Sequence, residues 1–295
     1  MKNFLLITGG AGFVGSNLIE YLIKNTNKKI ISLDNYSTGS KKNHINNKNI
    51  KYLKGDTKNI KKILNRYRKK IHSVFHFGEF SRIYQSFQKF DMCYDSNTVG
   101  TKEVFKFCLE NNIKLIYSAT SASLGNFGKD KHLSPYAFTK SKNLELLENL
   151  KKWFKLKFEV IYFYNVYGPR QIMVGDMATV IGIFEYLYKR KKPLTVVRPG
   201  TQTRRFTHIS DTIETCFKAW KDNKCKHYSI TNKQKYSIIQ VARMFNRNIT
   251  YLKARKGERY ASALTKIYQN NHIIQKYGKI KLKDYISSFI KCTKL

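Results

Sequence analysis

Short apolar runs alternate with stretches of helical periodicity through the first half of the chain. The runs Phe4–Thr8, Ile30–Leu33, Ile50–Leu53, Ser73–Phe77, Leu115–Ser118 and Val160–Phe163 are four or five residues long. That length and their apolar content are the pattern of strands buried on both faces. Between them, apolar positions three and four apart predict helices over about 14–25, 58–68, 95–111 and 135–155. This alternation predicts an α/β fold, a Rossmann-like doubly wound parallel sheet with right-handed crossovers. After Tyr167-Gly168-Pro169-Arg170 the pattern changes to helices near 177–191, 210–222, 237–245 and 282–291, with short strands and loops between them. A smaller lobe over the carboxyl ends of the sheet is the expectation, where such folds bind ligands. No linker separates the two parts. Residues 1–168 with a return segment at about 206–232 are assigned to the sheet domain, and 169–205 with 233–295 to an interwoven C-terminal α/β lobe.

The first junction carries the most chemistry. The strand Phe4–Thr8 runs into glycines at 9, 12 and 15 and then into the helical positions Leu18, Tyr21 and Leu22. Gly9 permits a tight turn, Gly12 lets backbone approach a pyrophosphate, and Gly15 lets the helix pack close to the strand. The helix N-terminus then offers free N–H groups to the anion. The second strand ends in Asp34, where an acidic residue is expected to hold a ribose hydroxyl. Asp34 would repel a 2′-phosphate and so favours NAD over NADP, while Lys41 and Lys42 nearby act in the opposite sense.

Composition narrows the rest. At 295 residues the chain holds one large α/β unit or two modest lobes. The five cysteines (93, 108, 216, 225, 292) form no CxxC pair and the seven histidines are dispersed, so neither a disulfide framework nor a metal site is expected. The first strand begins within a few residues of Met1, so no signal peptide is expected, and no apolar run approaches the length of a membrane span. A soluble cytoplasmic protein is the expectation. The formal net charge of +37 fits attraction to nucleic acid or anionic lipid. The lysines, however, are scattered through almost every segment beside abundant Asn, Ile, Tyr and Phe, the residues that AT-rich codons favour. They are therefore not expected to form one patch, and no specific nucleic-acid partner is expected.

A reacting set follows from spacing. Tyr136 and Lys140 lie four apart at the start of the 135–155 helix and share a face. An ammonium beside a phenol favours the phenolate, which makes tyrosine a usable base. The hydroxyl-rich run Tyr117-Ser118-Ala119-Thr120-Ser121 follows a buried strand, which puts it at the sheet's carboxyl edge. Together with the glycine turn, this set points to hydride transfer at a carbinol.

These residues resemble the extended short-chain dehydrogenases/reductases, specifically the NAD-dependent sugar-nucleotide epimerases/dehydratases, close to the UDP-glucose (UDP-galactose) 4-epimerases. The resemblance extends from Thr8–Gly15 through Leu33–Gly39, Gly55-Asp56, Phe75–Phe77, Tyr94–Thr101, the Tyr136/Lys140 helix, Tyr162–Arg170 and Arg204–Asp211 to Arg255–Glu258. It implies NAD contacts at Gly9, Gly12, Phe13, Val14, Gly15, Asp34, Asn35, Asp56 (adenine), Asn97, Tyr136 and Lys140. It further implies Thr120 as the catalytic hydroxyl, Tyr136 as the base and Lys140 as the ribose-binding, pKa-lowering lysine. Asn165, Arg204 and Arg255 fall on contacts to the substrate's nucleoside diphosphate, a UDP-sugar by this likeness. Ser262, seven places after Arg255, falls beside the sugar's 2-substituent and, being small, is expected to admit an N-acetyl group; the alternative is that it caps the helix that follows. A homodimer is also implied.

The sequence departs from relatives at several points. Ser121-Ala122 stand where the family's 4,6-dehydratases carry an Asp-Glu pair, and the Cys and His of fucose-synthase-like members have no counterpart. Gly78-Glu79 brings a carboxylate near the cleft, and Arg205 stands where many relatives have Asp. Gly175–Val180 has some likeness to ADP-heptose epimerases. A heptose epimerase-like or reductase activity is therefore the alternative within the family, and a basic nucleic-acid-binding protein the alternative outside it.

Overall fold

Eight parallel strands form the central sheet of the protein, seen in a computed structural model that describes residues 2–124, 129, 131–254 and 272–294. Six come from the first half: β1 (Phe4–Thr8), β2 (Lys29–Asp34), β3 (Ile50–Lys54), β4 (Ile71–His76), β5 (Lys114–Thr120) and β6 (Phe158–Phe163). Across the sheet the order is Ile273–Tyr277, His227–Thr231, β6, β5, β4, β1, β2, β3. The crossover between β1 and β4 separates two outward-running halves, which opens a crevice above their carboxyl ends.

Alternation along each strand divides the core between the two faces. Leu6, Val74, Leu115, Tyr117 and Val160 pack with the helices Thr101–Glu110 and Pro135–Phe154. Leu5, Ile7, Phe75, Ile116 and Ile161 pack on the other face with α1 (Phe13–Asn25) and the helix Ile209–Asp222. A third cluster forms the smaller lobe, where Phe184, Val196, Val241, Phe245 and Ile286 join the helices Val180–Lys189, Ile238–Met244 and Leu282–Lys294. In that lobe Leu194–Val197 and Ile249–Leu252 form a parallel pair.

The structure corrects the sequence reading in four places. Ile273–Tyr277, assigned to the second lobe, instead pairs with His227–Thr231 as the sheet's eighth strand. The helix expected over 58–68 is three short turns, Thr57–Asn59, Ile60–Ile63 and Asn65–Lys70, which still bury Ile60, Leu64 and Tyr67. The helix expected over 95–111 starts earlier, with Phe90–Tyr94, and passes through a π turn at Asp95–Gly100, where an added Cβ on Gly100 would lie 2.3 Å from Thr57 Oγ1. Such turns are frequent at functional sites. Finally, the lysines are not evenly spread. The segments leading into strands at the sheet's amino edge (2–3, 24–29, 44–49, 65–70, 111–114, 151–157, 221–226) carry 17 Lys and Arg against one carboxylate, Asp222. The loops after the same seven strands at the carboxyl edge (9–12, 35–43, 55–59, 77–100, 121–134, 164–179, 232–235) carry ten cations against six carboxylates.

Candidate active site

The crevice above the carboxyl ends of β1 and β4 is a cavity of about 680 Å³, walled by both lobes. Its floor is the glycine turn. Gly9 has φ +70°, and a Cβ there would meet Gly78 N at 2.8 Å, so β1 and β4 approach through bare backbone. A Cβ on Gly15 would lie 2.2 Å from Gly9 O, which is how α1 comes so close to β1. Gly12 is the N-cap of α1, no side chain caps the helix and no acid sits in its first turn. The amide donors and positive dipole end of α1 therefore face the cavity, a cradle suited to a pyrophosphate. Phe13 and Val14 line it too.

At the far end of β2, Asp34 is buried and lines the cavity. Its carboxylate accepts the N–H of Ala11 at 2.9 Å and of Tyr36 at 2.8 Å, tying the glycine loop to the β2 exit. Burial raises its pKa, against these hydrogen bonds. Asn35 Nδ2 donates to Asp56 Oδ2 at 3.0 Å, and Asp56 also caps the turn at Thr57–Asn59. Both line the same pocket. Asn97 does not: it is fully buried behind the wall, bonded to both backbone groups of Phe80 at 2.7 and 3.1 Å. It braces the loop that follows β4.

Ser134 and Pro135 start the long helix. The Ser134 side chain accepts the Ala137 N–H, and Pro135 occupies the first turn where no N–H is required. This places Tyr136 in the first turn and Lys140 one turn later, both buried against the cavity wall. Opposite them β5 ends in Ser118, Ala119 and Thr120, followed by Ser121, all lining the pocket. Thr120 Oγ1 accepts the Ala122 N–H at 3.1 Å, leaving its hydrogen for a ligand oxygen.

Behind this set lies a directed hydrogen-bond chain. Thr8 Oγ1 accepts the amides of Phe77 (3.2 Å) and Gly78 (3.1 Å), so its hydrogen goes to His76 Nδ1 at 2.7 Å. His76 is neutral, its pKa pushed down to about 4 by burial. Its Nε2–H then donates to Thr101 Oγ1 at 2.9 Å, and the Thr101 hydroxyl donates to Glu79 Oε1 at 3.0 Å. Tyr117 and Asn143 donate to the same Glu79 oxygen at 3.0 and 3.3 Å. The other oxygen, Oε2, forms an ion pair with Lys140 Nζ, 4% and 2% exposed respectively. Lys140 also donates to Ser118 O. Burial lowers the pKa of Lys140, and Glu79 opposes that shift. Glu79 thus holds an ammonium charged in a dry wall.

On the lobe side, Asn165 (φ +35°) and Arg204 line the pocket. Asn165 Nδ2 donates to Arg205 O at 2.9 Å, and Arg204 is carried on the pair Thr203–Arg204/Tyr236–Ser237. Arg205 turns away and braces Asn232 O at 3.0 Å. Arg255 and Ser262 lie outside the described residues. Arg82, on the cavity wall, escaped the sequence reading; its Nε and Nη2 donate to Met177 O at 3.1 and 2.7 Å. Its charge is close enough to couple with Tyr136. A lone arginine after Phe80-Ser81 gives no periodicity or motif signal.

A glycine cradle after the first strand, an acid at the second, and Tyr and Lys beside a threonine define a dinucleotide-dependent enzyme of the short-chain dehydrogenase/reductase type. The model of the NAD-dependent epimerase/dehydratase family matches residues 5–232, and the chain belongs to that family. It is an enzyme whose cofactor is NAD. A putative UDP-glucose 4-epimerase of Methanocaldococcus jannaschii is 28% identical over 278 residues, covering 87% of this chain and 88% of the relative. The UDP-glucose 4-epimerase of Thermotoga maritima, solved with UDP-glucose, superposes with TM-score 0.85 at 22% identity, covering 99% of this chain and 98% of that one. The UDP-glucuronic acid 4-epimerase of Bacillus cereus, solved with UDP-glucuronic acid and NAD, has TM-score 0.82 at 25% identity and covers 99% of both chains. Among the described residues no helix is long and apolar enough to cross a membrane, and no cluster of His, Cys, Asp or Glu is arranged to hold a metal ion.

Proposed function

We propose that the protein is a nucleotide-sugar 4-epimerase, of the UDP-glucose/UDP-galactose or UDP-GlcNAc/UDP-GalNAc type, working by transient oxidation to a 4-keto sugar. The observation that carries this reading is Thr120, Tyr136 and Lys140 on one cavity wall, with Ser121 and Ala122 behind the threonine. Elimination needs a further acid and base around carbon 5, and Ser121 and Ala122 supply neither.

The cavity fits NAD, since the uncapped helix end and bare glycine floor leave room and donors for its pyrophosphate. Gly9, Gly12, Phe13, Val14 and Gly15 would hold that part, and Asp34, Asn35 and Asp56 the adenosine. When bound, NAD supplies a hydride acceptor that returns what it takes. Tyr136 removes the proton from the sugar's 4-hydroxyl and later gives it back. Thr120 donates its free hydrogen to the reacting oxygen, and Lys140, held charged by Glu79, favours the phenolate. Asn165 and Arg204, with Arg255, hold the diphosphate, for which a guanidinium fork is suited.

Arg82 favours a second reading within the same chemistry. A guanidinium on the wall near Tyr136 would pair with a sugar carboxylate, as in a uronate. The test is product analysis with UDP-glucose, UDP-GlcNAc, UDP-glucuronate and an ADP-heptose. The expected product is the 4-epimer with no net change in NAD oxidation state. Release of water or carbon dioxide would sink the proposal. Ser262→Tyr, assayed on UDP-glucose and UDP-GlcNAc, should lose the N-acetylated substrate selectively if Ser262 sets the room at carbon 2.

A further inference from the structure

The amino edge of the sheet, across the molecule from the cavity, concentrates charge far beyond the chain's average. Its segments meet one another directly: Lys29 N–H donates to Asn3 O at 3.0 Å, Asn3 N–H to Lys70 O at 2.9 Å, Leu115 N–H to Lys157 O at 3.0 Å and Val160 N–H to Lys226 O at 3.1 Å. They form a strip beneath seven neighbouring strands, about 29 Å wide at the usual strand spacing. All the lysines of 151–157 and 221–226 are exposed. Within the first of these runs, Lys151-Lys152-Trp153-Phe154-Lys155-Leu156-Lys157, Trp153 is 63% and Phe154 57% exposed, their rings 6.2 Å apart. Leu156 and Phe158 are buried in the core, so the run is anchored with its two aromatics outward.

We propose that this edge is a docking surface for an anionic lipid bilayer, with Trp153 and Phe154 inserting at the headgroup level. A codon bias would load both edges of the sheet alike, yet one carries 17 cations to one acid and the other ten to six. Helix dipoles account for lysines in last turns, but Lys155, Lys157, Lys224 and Lys226 lie beyond the helix ends. Lys114 is paired with the buried Glu159 and Lys24 with Glu20. The remaining like charges repel one another, and an anionic plane relieves that repulsion. Exposed Trp and Phe amid lysines are the composition of an interfacial anchor. All but two of the 17 cations are lysines, point charges that respond to a diffuse surface potential. A nucleic-acid reader would be expected to use more of arginine's phosphate- and base-matching fork. Docked this way, the protein keeps its cavity facing away from the membrane.

The test is sedimentation of the full chain with vesicles of phosphatidylcholine alone or with about one third phosphatidylglycerol, at about 0.15 M salt. Binding to the anionic vesicles only is expected. Lys152→Glu/Lys155→Glu/Lys157→Glu should weaken it about 100-fold and Trp153→Ala/Phe154→Ala about 10-fold. Lys191→Glu/Lys192→Glu, exposed on the smaller lobe, should change it less than about threefold. Melting temperatures taken alongside separate lost binding from lost fold, and the aromatic pair serves if the charge reversal unfolds the chain. No binding to the anionic vesicles, equal loss in the Lys191/Lys192 control, or displacement by duplex DNA bound more tightly through the same residues would overturn the proposal.

Discussion

Tyr136 is the residue on which the proposed chemistry turns. Tyr136→Phe keeps the ring's packing and removes the proton acceptor, so turnover should fall 10²–10⁴-fold with NAD affinity retained. Single-turnover kinetics beside an NAD titration check this. Glu79 acts one step back, through Lys140. In Glu79→Gln the ammonium keeps a hydrogen-bond partner but loses its counter-charge, and burial then lowers its pKa further. The alkaline side of the pH–rate profile should collapse first, at lower pH than in the parent. An unchanged profile would show that Glu79 only fills space. His76 gives the stability counterpart. Its folded pKa of about 4 lies below its ordinary value of 6.5, so the unfolded chain binds the extra proton between them. Stability is therefore full above pH 6.5 and declines as pH falls towards 4, by about 3 kcal/mol from this group. Urea titrations over that range should show the slope, and His76→Gln should flatten it. The sequence made Tyr136 and Lys140 visible, because a shared helix face follows from spacing. The Lys140–Glu79 pair was not, since it joins residues 61 apart whose meeting depends on how β4 and the long helix pack.

At the scale of elements, the glycine turn is the tightest joint in the molecule. Gly15→Ala places a methyl carbon against the Gly9 carbonyl, and α1 must retreat from β1. The amide donors at its first turn move with it. NAD affinity should drop at least about 10-fold, with a lower melting temperature as well. A titration by quenching of intrinsic fluorescence gives the first quantity. That turn was legible because each glycine answers a steric demand. The segments that read less well did so for physical reasons. Ile60, Leu64 and Tyr67 have helical spacing, but three tight turns bury the same side chains, so the periodicity does not distinguish them. The π turn at Asp95–Gly100 is supported by Asn97 bonding to Phe80, a contact made across 17 residues and therefore absent from any local pattern. Ile273–Tyr277 reads Ile-Ile-Gln-Lys-Tyr, with neither alternation nor a full apolar run to reveal which sheet it joins.

For the whole molecule, charge placement matters more than the total. Crowded lysines at the amino edge cost stability that counter-ions restore, so the melting temperature should rise as salt increases from about 0.02 to 0.5 M. A flat response in sodium chloride would mean the edge is already neutralised within the fold. The parallel pairing of His227–Thr231 with Ile273–Tyr277 has a separate consequence, in time. The first strand's partner lies 46 residues further along the chain, so synthesis at roughly 5–20 residues per second delivers it several seconds later. Throughout that interval the nascent sheet presents a bare row of amides and carbonyls on the outer side of His227–Thr231, open to a neighbouring chain. The growing polypeptide is thus most vulnerable to mispairing on the ribosome just before its eighth strand emerges.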